Sequence, residues 1–253
     1  MSTLAVIPAR LGATRLARKP LRLLAGVPLV VRVWERVAAL GVADRCIIAT
    51  DHPEVAAVAR AAGAECVMTD AAHPSGTDRV AEVAARPEYR GFDVVLNVQG
   101  DEPFVPASAL RGAAAIVERG GYALGTAAAC ASPDILDTPH VVKVVCGDDG
   151  RALYFSRAAI PYLRDESDAA LRRGLVRQHL GVYAYTPGAL ARWVALPPHP
   201  LERIERLEQL RPLAAGMTMG VATIDEAPHA GIDTEADLQR ANERWSDFIA
   251  GRV

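Results

Sequence analysis

Short apolar runs alternate with longer amphipathic stretches through the first half of this chain. That alternation constrains the fold more than any other feature. Thr3–Pro8 is an apolar run stopped by proline and reads as a buried strand. Leu29–Leu40 carries apolar residues at helical spacing, with polar breaks at Arg32, Glu35 and Arg36, and Gly41 ends it. Arg45–Thr50 reads as the next strand. Asp51-His52-Pro53 opens a helix that runs to about Ala62 and stops at Gly63, and Glu65–Met68 follows as a short strand. The rhythm β-α-β-α-β predicts an α/β fold with a largely parallel sheet.

The same reading continues with a polar loop over Thr69–Thr77, a helix from about Asp78, a central strand over Asp93–Gln99 and a helix over Ala107–Arg119. Beyond Gly120-Gly121 the pattern becomes mixed. Tyr122–Cys130, Val141–Cys146, His179–Tyr185 and Met219–Ile224 read as strands, and Pro187–Ala195 and Arg203–Ala215 as helices. Asp165–Arg173 reads as a charged, exposed excursion. Thr234-Glu-Ala-Asp237 has the form of a capping box opening a last helix that reaches about Phe248. With 253 residues, no internal repeat and no low-complexity linker, the chain reads as one domain over 1–253. Its halves are a nucleotide-binding part over about 1–120 and a mixed part over about 121–253.

Lys and Arg total 28 against 30 Asp and Glu, so no basic excess points to nucleic acid or to an anionic membrane as a partner. No stretch of about 18 apolar residues occurs, and the first residues lack the apolar core of a signal peptide, so the expectation is a cytoplasmic, soluble protein. Four widely spaced cysteines with no C-x-x-C pair are expected as buried thiols rather than a disulfide framework or a zinc site.

Against this neutral background Arg10, Arg15, Arg18 and Lys19 fall within ten residues, directly after the first strand. Ligands of α/β sheets bind at the carboxyl ends of strands, and cations with loop amides there suit a triphosphate; the alternative is a solvated surface loop. The loop is neither G-x-x-x-x-G-K-[ST] nor G-x-G-x-x-G. Asn97-Val-Gln-Gly-Asp101-Glu-Pro103 places Asp101 at the same sheet edge, where a carboxylate can hold Mg²⁺ or cap a turn. Asp233 precedes the last helix, and spacing alone favours an N-cap there. Ser75 and Arg79 in His73-Pro-Ser-Gly-Thr-Asp-Arg79, and Arg157 after Ala152-Leu-Tyr-Phe-Ser156, read by themselves as structural. The same holds for His179 and Tyr183 in Gln178-His-Leu-Gly-Val-Tyr183, and for Glu208 and Gln209 on a helix.

Taken in order, IPAR-L-GATRLARKPL, MTDAAHPSGTDRVAEV, VLNVQGDEPFVP, VVKVV, ALYFSRAAIPY, RQHLGVYAYTPGAL, LERIERLEQLR and GIDTEADL resemble the 3-deoxy-manno-octulosonate (Kdo) cytidylyltransferase family, from Leu4 to about Leu238. The resemblance implies a nucleotide-diphospho-sugar transferase-like α/β fold. Such a fold has a mixed, mainly parallel sheet flanked by helices and a smaller sugar-binding and dimerisation subregion. It implies a homodimer that uses Mg²⁺ and converts CTP and Kdo to CMP-Kdo and pyrophosphate for lipopolysaccharide biosynthesis. By motif, Arg10, Arg15 and Lys19 are implied as triphosphate ligands, Ser75 and Arg79 in the cytidine pocket, and Asp101 and Asp233 as the metal ligands. Lys19, Asp101 and Asp233 form the implied catalytic group, and Gln99, Arg157, His179, Tyr183, Glu208 and Gln209 are implied to hold Kdo. The chain departs from the family pattern at Ala13, Ala17 and Arg18 and at Thr138-Pro-His140. A related acid sugar (amino-substituted Kdo or a sialic acid) and a non-catalytic CTP- or sugar-binding protein are the competing readings.

Overall fold

A computed structural model describes residues 1–12, 16–226 and 231–251. Two compact units divide the chain: Met1–Val105 with His229–Val253, and Pro106–Pro228. The C-terminal stretch, grouped by sequence with the second half, is therefore counted with the first.

In chain order the first unit contains β1 (Thr3–Ala9), β2 (Leu23–Leu24), β3 (Val27–Pro28), α1 (Leu29–Ala39), β4 (Arg45–Thr50), α2 (Pro53–Ala61), β5 (Glu65–Met68), α3 (Gly76–Ala85) and β6 (Val94–Asn97). Its strands lie in the order β6-β1-β4-β5, and each neighbouring pair is parallel. Leu4, Ala5, Val6 and Ile7 of β1 are completely buried, as expected of a central parallel strand covered on both faces. The expected strand over Asp93–Gln99 shortens to β6: Val98 N–H still donates to Val6 O, and the turn that carries Asp101 begins at Gln99, whose carbonyl accepts from Glu102 N–H. The short β2–β3 hairpin had no periodic signal in the sequence.

The second unit contains α4 (Ala107–Glu118), β7 (Leu124–Cys130), β8 (Lys143–Cys146), β9 (Ala152–Ser156), α5 (Ala169–Leu175), β10 (Arg177–Tyr185), α6 (Pro187–Ala195), α7 (Pro200–Glu205), α8 (Leu210–Ala214) and β11 (Met219–Ile224). Here β7 runs parallel to β11 and antiparallel to β10, while β8 joins β10 and forms a hairpin with β9. The strand β9, read in the sequence only as an aromatic run, is held by that hairpin. The exposed excursion contains α5, which buries no side chain.

The single helix expected over Arg203–Ala215 is two helices. Arg206 takes a left-handed conformation (φ 56°), and α7 ends. The physical reason is visible at Glu205, whose carbonyl accepts from Arg157 Nε at 2.8 Å instead of from a following helical N–H. Glu208 and Gln209 therefore precede α8 rather than lie within a helix.

The chain closes with α9 (Glu235–Ile249) in the first unit. Thr234 and Asp237 form the expected capping box. Leu238, Ala241 and Trp245 pack with Leu16, Leu24, Leu29, Phe104 and Ile232. Burial of each large side chain there contributes roughly 2 kcal/mol. The guanidinium of Arg32 stacks 4.9 Å over the Trp245 ring. The cysteines are free thiols, but Cys130 is exposed and Cys46, Cys66 and Cys146 are only half-buried, which corrects the expectation of four buried thiols. Burial does push the Cys46 thiol up to about 12.

Candidate functional site

The candidate side chains gather separately in each unit. In the first, β1 and β6 end side by side, and the turn after β6 crosses the end of β1. Gly100 permits this, because a Cβ at that position would lie 2.8 Å from the Pro8 carbonyl oxygen. The segment before α9 is tied to the same turn by Ile232 N–H, which donates to Asp101 O at 3.0 Å. A Cβ on Gly231 would lie 2.5 Å from Glu102 Oε1, so Gly231 packs directly on that carboxyl.

These contacts bring together Lys19, Asp101 and Asp233 from three distant segments. Lys19 Nζ donates to Asp101 Oδ2 and, at 2.8 Å, to Asp233 Oδ1. Burial opposes the ammonium, but Asp101 and then Asp233 outweigh it and hold Lys19 above its ordinary value. Burial raises the neighbouring Glu102 carboxyl well above the usual range; Asp101 and Asp233 reinforce the shift and Lys19 opposes it. Asp233 is not the N-cap that spacing favoured. Thr234 caps α9 by accepting from Asp237 N–H at 3.2 Å, so the Asp233 carboxylate can meet Lys19.

Two carboxylates converging on one cationic nitrogen are hard oxygen donors arranged around a positive charge, and they fit Mg²⁺. No group of three His, Cys, Asp or Glu side chains suited to a metal occurs among the described residues.

The other candidate residues of the first unit lie as follows. Arg10 is exposed at the end of β1 and makes no ion pair among the described residues. Arg15 lies outside the described residues. Gln99 sits in the turn of Asp101, where its carbonyl accepts from Glu102 N–H. Ser75 caps α3, and its hydroxyl donates to Asp78 Oδ2 at 2.6 Å. Arg79 is buried, paired with Asp51 Oδ2 at 2.8 Å and with the Thr69 hydroxyl, so it braces the ends of β4 and β5. Arg18 pairs on the surface with Glu54.

In the second unit β10 shifts register against β7 between His179 and Tyr183. The Thr126 hydroxyl donates to Val182 O at 2.6 Å, so it must accept from His179 Nε2 at 2.9 Å. That assigns the proton to Nε2 and leaves Nδ1 as an acceptor. Burial among Phe155 and Tyr183 lowers the imidazole to about 3, so His179 is neutral at physiological pH. Tyr183 donates to Gln209 Oε1 at 3.0 Å; burial, then Tyr185 and Glu208, push its phenol well above the ordinary value. Arg157 anchors Nε on Glu205 O and Nη1 on Pro139 O at 3.1 Å, and its Nη2 has no partner among the described residues.

Sequence reasoning missed Glu102, Thr126, Lys143 and Glu205. Lys143 alone carried a signal, as a single cation inside the apolar run Val141–Val145. Glu205 lies in a charged helix where no residue stands out.

A family model described as Cytidylyltransferase matches residues 4–219. The 3-deoxy-manno-octulosonate cytidylyltransferase of Gemmatimonas aurantiaca is 66% identical over 245 residues, covering 97% of this chain and 95% of that one. The protein of the same name from Polynucleobacter asymbioticus is 46% identical over 242 residues, covering 95% of this chain and 94% of its own. A solved structure of a CMP:2-keto-3-deoxy-manno-octonic acid synthetase complexed with CTP superposes with a TM-score of 0.89 at 33% identity, covering 98% of this chain and 99% of that one. Identity of this extent over nearly the full length of both chains settles the classification that the ordered motifs suggested: this chain belongs to the 3-deoxy-manno-octulosonate cytidylyltransferase family.

Proposed function

We propose that this protein transfers CMP from CTP to the anomeric hydroxyl of Kdo, giving CMP-Kdo and pyrophosphate for lipopolysaccharide biosynthesis. The observation that carries the reading is the convergence of Lys19, Asp101 and Asp233 at the strand ends of the first unit. In this reading Arg10, Arg15 and Lys19 bind the triphosphate, and the α3 N-terminus with Ser75 and Arg79 receives the cytidine. Asp101 and Asp233 would hold Mg²⁺, which when bound neutralises phosphate charge and favours ionisation of the sugar hydroxyl.

The chain itself contributes alignment and electrostatics rather than a covalent intermediate. Cations on the β- and γ-phosphates stabilise the departing pyrophosphate. Arg157 offers Nη2 to the sugar carboxylate, and neutral His179 offers Nδ1 to a sugar hydroxyl. Gln99, Tyr183, Glu208 and Gln209 complete the Kdo contacts. A homodimer is supported by the exposed apolar side chains Tyr162, Leu171, Leu175 and Ile204 of the second unit, which a second copy would cover. A cytoplasmic location accords with the described helices, none of which is long and apolar enough to cross a membrane.

Pyrophosphate release tests the reading when measured with CTP against other nucleotides and with Kdo, amino-substituted Kdo and a sialic acid. Fastest turnover with CTP and Kdo is expected. Best turnover with a sialic acid, or CTP binding without pyrophosphate release, overturns it.

A further inference from the structure

Lys143 is a fully buried cation that makes no salt bridge to a carboxylate among the described residues. Its three ammonium protons go to three carbonyls: Thr138 O at 3.1 Å, Val141 O at 2.8 Å and Arg157 O at 2.5 Å. Residues 138–141 form a turn closed by Val141 N–H on Thr138 O. The two inner carbonyls of that turn, Pro139 O and His140 O, accept from Arg157 Nη1 at 3.1 and 3.5 Å. The next carbonyl, Val142 O, accepts from His179 N–H at 2.9 Å. Five consecutive carbonyls are thus held by Lys143, Arg157 and the His179 backbone.

A second anchor acts on the same arginine. The Glu205 carboxylate accepts from Arg157 N–H at 3.0 Å and from the Ser156 hydroxyl at 2.6 Å, and the Glu205 carbonyl takes Arg157 Nε. The guanidinium is therefore fixed on one edge, and Nη2 has no partner among the described residues. A charge this deeply desolvated is costly to keep, and an apolar residue would suit the strand better. What the charge secures is the shape of the turn and the setting of Arg157.

We propose that Lys143 is the positioning residue of the acid-sugar half-site. It fixes the 138–141 turn and the Arg157 backbone, so that Nη2 is the donor presented to a sugar carboxylate. The inference rests on the reading that Arg157 binds that carboxylate.

Lys143→Met keeps the apolar stem and removes all three donors. The expected result is a KM for Kdo raised about tenfold with the KM for CTP within about twofold, because hydrogen bonds to charged groups are worth about that much. A general loss of folding would instead lower the active fraction and leave both KM values alone. In an Arg157→Ala background the same substitution should add less than about twofold, since both act through one contact. Glu205→Gln leaves Lys143 in place and should raise the Kdo KM in the same selective way, which keeps the test open if Lys143→Met does not fold. A Lys143→Met or Glu205→Gln enzyme with an unchanged Kdo KM, beside an Arg157→Ala enzyme whose Kdo KM rises, overturns the positioning role alone. Fully multiplicative effects in the double variant do the same. An Arg157→Ala enzyme with an unchanged Kdo KM overturns the carboxylate reading, and this inference with it.

Discussion

The candidate sites of the two units neutralise their cations in opposite ways. In the first, Lys19 is balanced by the side chains of Asp101 and Asp233, which a ligand can draw away. In the second, Lys143 and Arg157 are balanced mainly by backbone carbonyls, and the histidine beside them carries no charge. Side-chain ion pairs exchange partners without moving the fold, whereas a carbonyl cannot leave without taking its turn along. On the proposed reading, the first site trades counter-ions with a charged substrate and the second holds a shape.

The largest expected effect strikes the exchangeable group. Asp101→Asn removes one of the two carboxylate charges and should cost on the order of 3 kcal/mol or more in the barrier, by analogy with losing a preorganised electrostatic ligand. Pyrophosphate release at saturating Mg²⁺ should fall at least about a hundredfold. Near-normal turnover would sink the metal assignment and with it one side of the comparison.

The rigid unit should show its character in pH dependence. Burial lowers His179 from 6.5 to about 3, so the unfolded chain binds this proton between those values and the folded chain does not. Stability from this group is complete above pH 6.5 and declines as pH falls towards about 3, with a slope of roughly 1.4 kcal/mol per unit. His179→Gln removes that slope, so denaturant unfolding from pH 6.5 to 4.5 should show the wild type losing stability relative to the variant. Parallel curves would mean that His179 is charged in the folded protein.

Lys19→Met sharpens the idea of exchange. Without the ammonium, Asp101 and Asp233 repel each other, and nucleotide-free Mn²⁺, used as a probe for Mg²⁺, should bind about tenfold more tightly by calorimetry. The same variant should bind CTP more weakly. Weaker Mn²⁺ binding would show that Lys19 builds the carboxylate pair rather than competing for it.

The contrast also explains what could be read from the amino-acid order. The parallel strands of the first unit announce themselves by apolar runs, and Asp101 by its place after such a run. Asp233 looked like a helix cap because local spacing cannot see that Thr234 takes that duty. The second unit hides more. The break at Arg206 and the hold of Glu205 O on Arg157 depend on backbone carbonyls, which leave no trace in residue type, and Lys143 shows only as a single cation inside an apolar run. Arg79 likewise belongs to a helical pattern, and only the fold reveals its pairing with Asp51.

Arg18 gives the smallest expected effect and the finest test, since it is an added cation in the loop where this chain departs from its family. If it bound the triphosphate, it would extend the exchangeable set. The structure instead pairs it with Glu54, and both side chains are more than half exposed. An ion pair that open contributes about 0.5 kcal/mol or less. Arg18→Ala should therefore leave the thermal midpoint nearly unchanged and the KM for CTP within about twofold, where loss of a phosphate ligand would raise that KM about tenfold. The left-handed backbone at Arg18, with φ 55°, favours glycine, so Arg18→Gly should stabilise the protein slightly relative to Arg18→Ala. A tenfold rise in the CTP KM for both variants would move Arg18 from the solvated surface into the triphosphate site.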